Sequence, residues 1–465
     1  MSTRLLLIGL DCADPRLVFE EFAGDMPRLR ELAGRGRFGR LESTIPPITV
    51  PAWTAMVTGK DPGQLGCYGF RNRRSRDYGD LAIANATAIT EPTLWNLLSR
   101  KRKECIVLGV PQTYPPKPLN GVLVGCFLTP DKSVPYTWPP EVAREIDELA
   151  DGDYIIDVDE FRTHDKDRLL AQIHTMTRRR FQVVRHWLRH RSWDFFMFVE
   201  MGPDRIHHGF WRHCDPRHRL FEPGNPYRHA IRDYYRLLDR EIGSVLDLAG
   251  PDTAVLVASD HGVRGMQGGI CINEWLRRRG YLVLREEPPA PTPLKASMID
   301  WPRTRVWGEG GYYGRIFFNV QGREPQGLLP PAEYDSFRDR LQAEIEGIGD
   351  EQGRPIGTVV YRPEDIYREC RNIPPDLIVY FGDLAWRSAG SVGTGAVHIF
   401  ENDTGPDDAN HDRYGLYIFY DPARPDGGID RDASIYDVAP TVLHHFGQTA
   451  PEGLRGRAWQ EAGGA

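Results

Sequence analysis

Residues 4–10 read Arg-Leu-Leu-Leu-Ile-Gly-Leu, and after the arginine no position in the run is polar. A strand with one wet face alternates polar and apolar residues. This one does not, so both of its faces must be covered, as happens inside a parallel sheet flanked by helices. Residues 192–200 (Ser-Trp-Asp-Phe-Phe-Met-Phe-Val-Glu) and 254–258 (Ala-Val-Leu-Val-Ala) repeat the pattern, and 105–110 and 121–127 are further strand candidates. Helical patterning falls between them, at 27–33 (capped by Asp25), 92–101, 139–149, 165–190 and 228–248. Strands alternating with helices predict an α/β protein: a three-layer α/β/α sandwich around a mostly parallel central sheet.

In open sheets of this kind, ligands gather at the carboxyl ends of the strands. Three runs end in chemistry-bearing residues. The 4–10 run stops at Asp11, well placed for a metal. The 192–200 run leads into Asp204-Arg-Ile-His207-His208, and the 252–259 run into Asp260-His261-Gly262. Asp204 and His208 are four apart, so on a helix both project from one face and can grip one ion, with His207 pointing elsewhere. Each residue alone has a plain structural reading. Asp11 could be a turn or cap aspartate, and Asp260–His261 a turn pair, although an apolar strand running straight into Asp-His-Gly disfavours the latter.

The segment 45–59, Ile-Pro-Pro-Ile-Thr49-Val-Pro51-Ala-Trp53-Thr-Ala-Met-Val-Thr-Gly59, places a threonine at the mouth of a short helix. Pro51 sits just inside the start, where a missing N–H costs nothing, and Gly59 is a plausible stop. A hydroxyl there faces orphan N–H groups and the positive end of the helix dipole, a good place to generate an alkoxide and hold a phosphate. The alternative is a capping threonine that only satisfies those N–H groups. A glycine-rich loop at 61–70 and the basic run Arg71-Asn72-Arg73-Arg74 follow. The run could orient a phosphate, though charge runs are more often solvated surface.

The pattern changes at 276–360, which is proline-rich and then aromatic. We read it as an inserted cap or substrate-selecting subdomain, with 1–275 and 361–465 forming the core. Arg323 within it is either a substrate contact or a surface arginine. A net charge of -7 over 465 residues gives no electrostatic reason to expect a nucleic-acid polymer as partner. The seven cysteines are odd in number, scattered and without a CxxC pair, and they read as buried free thiols in a reducing compartment. No signal peptide and no membrane span is recognisable, so a cytoplasmic location is the expectation.

Taken together, Thr49-Val-Pro through Thr58-Gly59-x-x-Pro62, Asp204-x-x-x-His208 and Asp260-His261-Gly262 resemble the alkaline phosphatase superfamily, most closely its type I phosphodiesterase/nucleotide pyrophosphatase branch. The resemblance implies two divalent ions, zinc or alternatively manganese, and a small phosphorylated substrate. Asp11, Thr49, Asp260 and His261 would hold one ion, and Asp204, His208 and His411 the other; His411, just before a strand, is preferred to His398. It also implies attack by Thr49 through a covalent phosphothreonine. The chain departs from the branch at Ala52, where an asparagine commonly follows the proline. The phosphate-orienting asparagine has its nearest counterparts at Arg71 and Asn72. Trp53, in an uncharged stretch after Thr49, suits the organic group of a diester. A phosphomonoesterase, a phosphomutase-like enzyme and a non-catalytic phospho-ligand-binding protein of the same fold are the competing readings.

Overall fold

The computed structural model describes residues 4–461. Its centre is a twisted sheet in which Leu5–Leu10 lies between Phe195–Glu200 and Ala254–Ala258, parallel to both. Cys105–Leu108 and Gly121–Val124 extend the parallel block beyond Phe195–Glu200. On the other side Tyr414–Tyr420 and Arg37–Glu42 continue the sheet in antiparallel sense. Every side chain of Leu5–Leu10, Phe195–Glu200 and Ala254–Ala258 is buried, which is why these strands carry no polar face.

Helices cover the sheet in two groups. Lys166–His190, Gly202–Cys214 and Ala230–Ala249 pack on one another. Thr49–Thr58 packs with Val438–His445, which in turn meets Leu94–Arg100. The architecture is therefore the expected α/β one. Three local readings need correction. Helix Pro27–Arg35 is not capped by Asp25; its N–H groups at Arg28 and Leu29 are taken by the Asp239 carboxylate from Ala230–Ala249, while Asp25 pairs with Arg232 and Arg236. The stretch Phe210–Pro226, whose Trp, His, Pro and Gly content reads as loop in the sequence, is helical as far as Cys214. Cys370 is exposed and Cys214 half-buried, so not all the thiols are core residues.

A second hydrophobic core runs from Ile270 to Trp386. It is built on the four strands Val306–Glu309, Gly314–Phe318, Leu377–Tyr380 and Val359–Tyr361, with helix Tyr334–Glu346 against them. The small sheet thus takes one strand, Leu377–Tyr380, from beyond residue 360. No helix among the described residues is long and apolar enough to cross a membrane.

Candidate metal and phosphoryl site

The register of the three central strands sets the site. Leu10 pairs with Glu200 and Gly9 with Ala258, so Asp11, the turn into Gly202–Cys214, and Asp260 leave the sheet at one edge. The Asp11 N–H still donates to Glu200 O at 3.0 Å. The next residue, Cys12, takes a left-handed φ of 64° and gives its N–H to Asp260 Oδ1 at 3.2 Å. A non-glycine residue holds this conformation only where its surroundings enforce it. Here the turn ties the first strand end to the third.

Thr49 opens the ten-residue helix Thr49–Thr58, and Gly59 closes it in the left-handed region at φ 70°. The N-cap is the extended Ile48, with no side-chain cap bond. The Thr49 hydroxyl is thus released from capping, and Oγ1 lies 3.4 Å from His261 Nε2. Trp53, one turn on, is fully buried. Its ring occupies the space where a Cβ on Gly9 would meet Cη2 at 2.5 Å, and its indole N–H donates to Asp11 Oδ2 at 2.7 Å. Trp53 therefore orients Asp11 and offers no wall to a substrate, contrary to the sequence reading.

His261 Nε2 is 3.2 Å from Asp260 Oδ2 and 3.7 Å from Asp11 Oδ1. On its other side, Nδ1 meets Gly262 O at 3.1 Å. Asp204 Oδ1 lies 3.2 Å from His208 Nε2 and 3.9 Å from His411 Nε2, so the i, i+4 pair does share a helix face. His411 sits in the short strand Ala409–Asp412, opposite Val263, with Nδ1 donating to Pro47 O at 2.8 Å. Its ring stacks on that of His261 at 3.7 Å. His398 instead bonds Gly349 O, in the second core. The structure thus brings Asp11, Thr49, Asp204, His208, Asp260, His261 and His411 into one buried cluster.

Four of the inward atoms of this cluster make no hydrogen bond. Asp11 Oδ1, Asp260 Oδ2, His208 Nε2 and His411 Nε2 are all buried and without a hydrogen bond. Ligating atoms of Asp11, Asp260 and His261 lie within 4.8 Å of one another, as do those of Asp204, His261 and His411. Orphaned buried polar groups are rare because each costs about 1–3 kcal/mol, more when charged. Carboxylate and imidazole donors converging in this way are the donor set that divalent zinc takes.

The electrostatics agree. Burial, then the Asp204 charge, pushes the Asp11 carboxyl well above its usual range; burial and Asp11 do the same to Asp260. Burial lowers His261 to about 4, and burial together with His261 holds His411 well below the usual imidazole range. Acids pushed up beside histidines pushed down are groups that a bound cation would relieve; His208 goes the other way, burial being outweighed by Tyr312, Asp407 and Asp204, so that it lies well above the usual imidazole range. For Asp204, burial acts upward but is outweighed by His208 and by Arg205, whose guanidinium also grips Asp157 at 2.6–2.9 Å, and its carboxyl lies well below the ordinary value.

The other sequence candidates are engaged elsewhere. Asn72 Oδ1 accepts from Tyr68 N at 2.7 Å and its amide donates to Gly69 O at 2.8 Å, so it closes the turn of its own loop. Arg71 is exposed, its carbonyl accepting from Arg315. Arg73 is buried against Glu324, and Arg74 pairs with Asp80. Arg323 binds Asp376 through two nitrogens at 2.7 and 2.8 Å, and Glu324 at 2.8 Å. Sequence reasoning missed two supports, Arg205 beside Asp204 and Asp407 beside His208. The only available signals were an arginine inside the Asp-x-x-x-His motif and a carboxylate four residues before His411.

Acids and histidines gathered at the carboxyl edge of such a sheet, with a threonine hydroxyl among them, fit the alkaline phosphatase superfamily. The type I phosphodiesterase / nucleotide pyrophosphatase family model matches residues 5–407, and the chain belongs to that family. It is a hydrolase of phosphate esters, and the ligand clusters fit the metal dependence of the family. Among solved structures it is similar to human ectonucleotide pyrophosphatase / phosphodiesterase 5, with 14% identity, 96% of each chain covered and a TM-score of 0.55. An inactive form of the murine counterpart in complex with AMP gives 12% identity, 96% of each chain and a TM-score of 0.54. Phosphonoacetate hydrolase from Sinorhizobium meliloti in complex with phosphonoformate gives 14%, 96% of this chain, 95% of that one and 0.59. No curated protein matches.

Proposed function

We propose that the protein is a two-metal phosphodiesterase with Thr49 as nucleophile. The observation that carries this is the set of orphaned, inward-facing atoms on Asp11, Asp260, His208 and His411 around a threonine hydroxyl released from helix capping. Asp11, Asp260, His261 and Thr49 would hold one divalent ion, and Asp204, His208 and His411 the second. When bound, such ions neutralise phosphoryl charge and lower the pKa of a coordinated hydroxyl.

The chain's own residues supply the rest. The helix Thr49–Thr58 directs its positive end at the phosphoryl group. Thr49 Oγ would attack phosphorus and give up its hydroxyl proton, a P–O ester bond breaks, and the leaving alkoxide takes up a proton. Water then attacks the same phosphorus, the Thr49 Oγ–P bond breaks, and one proton of the water ends on Thr49 Oγ, regenerating the hydroxyl. Two moderate steps replace one difficult one. Trp53 holds the Asp11 carboxylate in place through its N–H.

The diester preference rests on two features. No arginine of 71–74 is bonded to the ligand cluster, since Arg73 and Arg74 are paired elsewhere. An arginine against the extra charged oxygen is what would favour a monoester. Beside His208 stand the half-buried rings of Phe161, 6.0 Å away, and Tyr312, 4.9 Å away. Flanked by the guanidinium groups of Arg162 and Arg205 on Phe161 and of Arg387 on Tyr312, these rings would offer an aromatic edge to the second organic group of a diester, such as a nucleoside. With zinc or manganese, kcat/KM for bis(p-nitrophenyl) phosphate should exceed that for p-nitrophenyl phosphate by about tenfold or more. A clear monoester preference at the same pH and metal would count against this reading.

A further inference from the structure

Asp407 belongs to none of the ligand sets above, yet it is among the most completely engaged carboxylates near the site. Its side chain is fully buried. Oδ1 lies 2.6 Å from His208 Nδ1. Oδ2 accepts from Arg162 Nε at 2.9 Å, Arg387 Nη1 at 2.9 Å and the Tyr312 hydroxyl at 3.3 Å. The neighbouring Asp408 N–H donates to His208 O at 3.0 Å, so the same chain segment also holds His208 by its backbone.

The two oxygens have different tasks. With Oδ2 held by two guanidinium groups and a phenol, the carboxylate cannot swing. Oδ1 is then fixed as the acceptor for His208 Nδ1–H. A proton on Nδ1 leaves the lone pair on Nε2, the orphaned atom that faces Asp204. Carboxylates that orient a ligating imidazole in this way raise its basicity and set its tautomer. The partners of Oδ2 come from distant parts of the chain. Arg387 lies on strand Trp386–Ala389, which pairs with Gly268–Cys271 beside the second core. Tyr312 lies between two strands of the small sheet, and its ring stacks on His411 at 4.2 Å.

The geometry points to Asp407 as a positioning residue for the ion held by Asp204, His208 and His411, with Arg387 and Tyr312 linking that ion's affinity to the placement of the small sheet and the strand beside it. This rests on the reading of His208 as a metal ligand. The rival account is an ion cluster that only joins three segments of the fold. Such a cluster would change stability and leave metal affinity alone.

The test is zinc binding to the full chain, read by competition with a chromophoric chelator and by calorimetry. Wild type should take up two equivalents. Asp407→Asn should keep one site unchanged and bind at the other about 10–100-fold more weakly. Arg387→Gln should weaken the same site several-fold while leaving the carboxylate present. Lower melting temperatures with both affinities unchanged in these two variants would overturn the proposal. If Asp407→Asn does not fold, unchanged affinities in Arg387→Gln overturn it alone. A wild-type protein that binds fewer than two zinc ions would instead fail the two-metal reading, before any variant is compared.

Discussion

Two charged clusters in this molecule look alike in composition and behave in opposite ways. Beside the second hydrophobic core, Glu324 receives Arg73, Arg76 and Arg323, while Asp376 receives Arg323, the Tyr334 hydroxyl and the Phe318 N–H. Its acids are saturated by their neighbours. At the edge of the central sheet, Asp11, Asp260, His208 and His411 each keep a buried atom that makes no hydrogen bond. A structural cluster completes itself, because an unmatched buried charge is costly. In the proposed reading, a bound cation would complete the second. Arginine content alone would have picked the first cluster as the phosphate site, and the bonding state picks the second.

The largest way to break this contrast is at the second cluster. Asp260→Asn should leave the fold intact and weaken zinc at its site by more than the roughly 10–100-fold that losing a supporting residue costs. Exhaustive chelation should abolish turnover, and zinc should restore it. Full activity in chelated protein would show that the orphaned atoms are not ligands. The first cluster should respond in the opposite sense. Glu324→Gln should destabilise the protein by about 3 kcal/mol, because it uncouples buried Arg73, with zinc stoichiometry unchanged. Thermal melting and metal titration on the same preparation separate the two effects. The smallest effect concerns Asn72. As a residue that closes its own loop, its replacement by alanine should change kcat/KM by less than about tenfold. A loss of about a hundredfold or more, with KM unchanged, would make it a phosphate-orienting group after all.

How much was legible in the sequence follows from what each level of pattern encodes. The strands at 4–10, 192–200 and 254–258 were readable because burial on both faces leaves no polar position. Their ends were readable because Asp11, Glu200 and Ser259-Asp260 each interrupt an apolar run. Thr49 was readable through Pro51 and Gly59, which mark a helix start and stop. The bonding state was not. Nothing in Arg73 announces that Glu324 waits for it 251 residues on, and nothing in Arg323 announces Asp376, 53 residues on. Trp53 was placed against a substrate because its neighbours are apolar, whereas Gly9, forty-four positions earlier, opens the space that buries it. Asp407 escaped notice because its meaning comes from Arg162, Tyr312 and Arg387, which converge only in three dimensions. The Asp25 cap failed for the same reason: Asp239, over two hundred residues away, supplies the acceptor.

The central claim is that the hydroxyl of Thr49, freed from capping and placed among these ligands, forms a bond to phosphorus. The most direct measurement is acid quench of the zinc-loaded enzyme during turnover of bis(p-nitrophenyl) phosphate, followed by peptide mass spectrometry. The expected result is an esterified phosphoryl adduct on the peptide carrying Thr49, formed with a burst of p-nitrophenol. Thr49→Ala should lack both, and its turnover should fall by several orders of magnitude with metal content retained. Wild-type-like turnover in Thr49→Ala, or an adduct on another residue, would contradict the account.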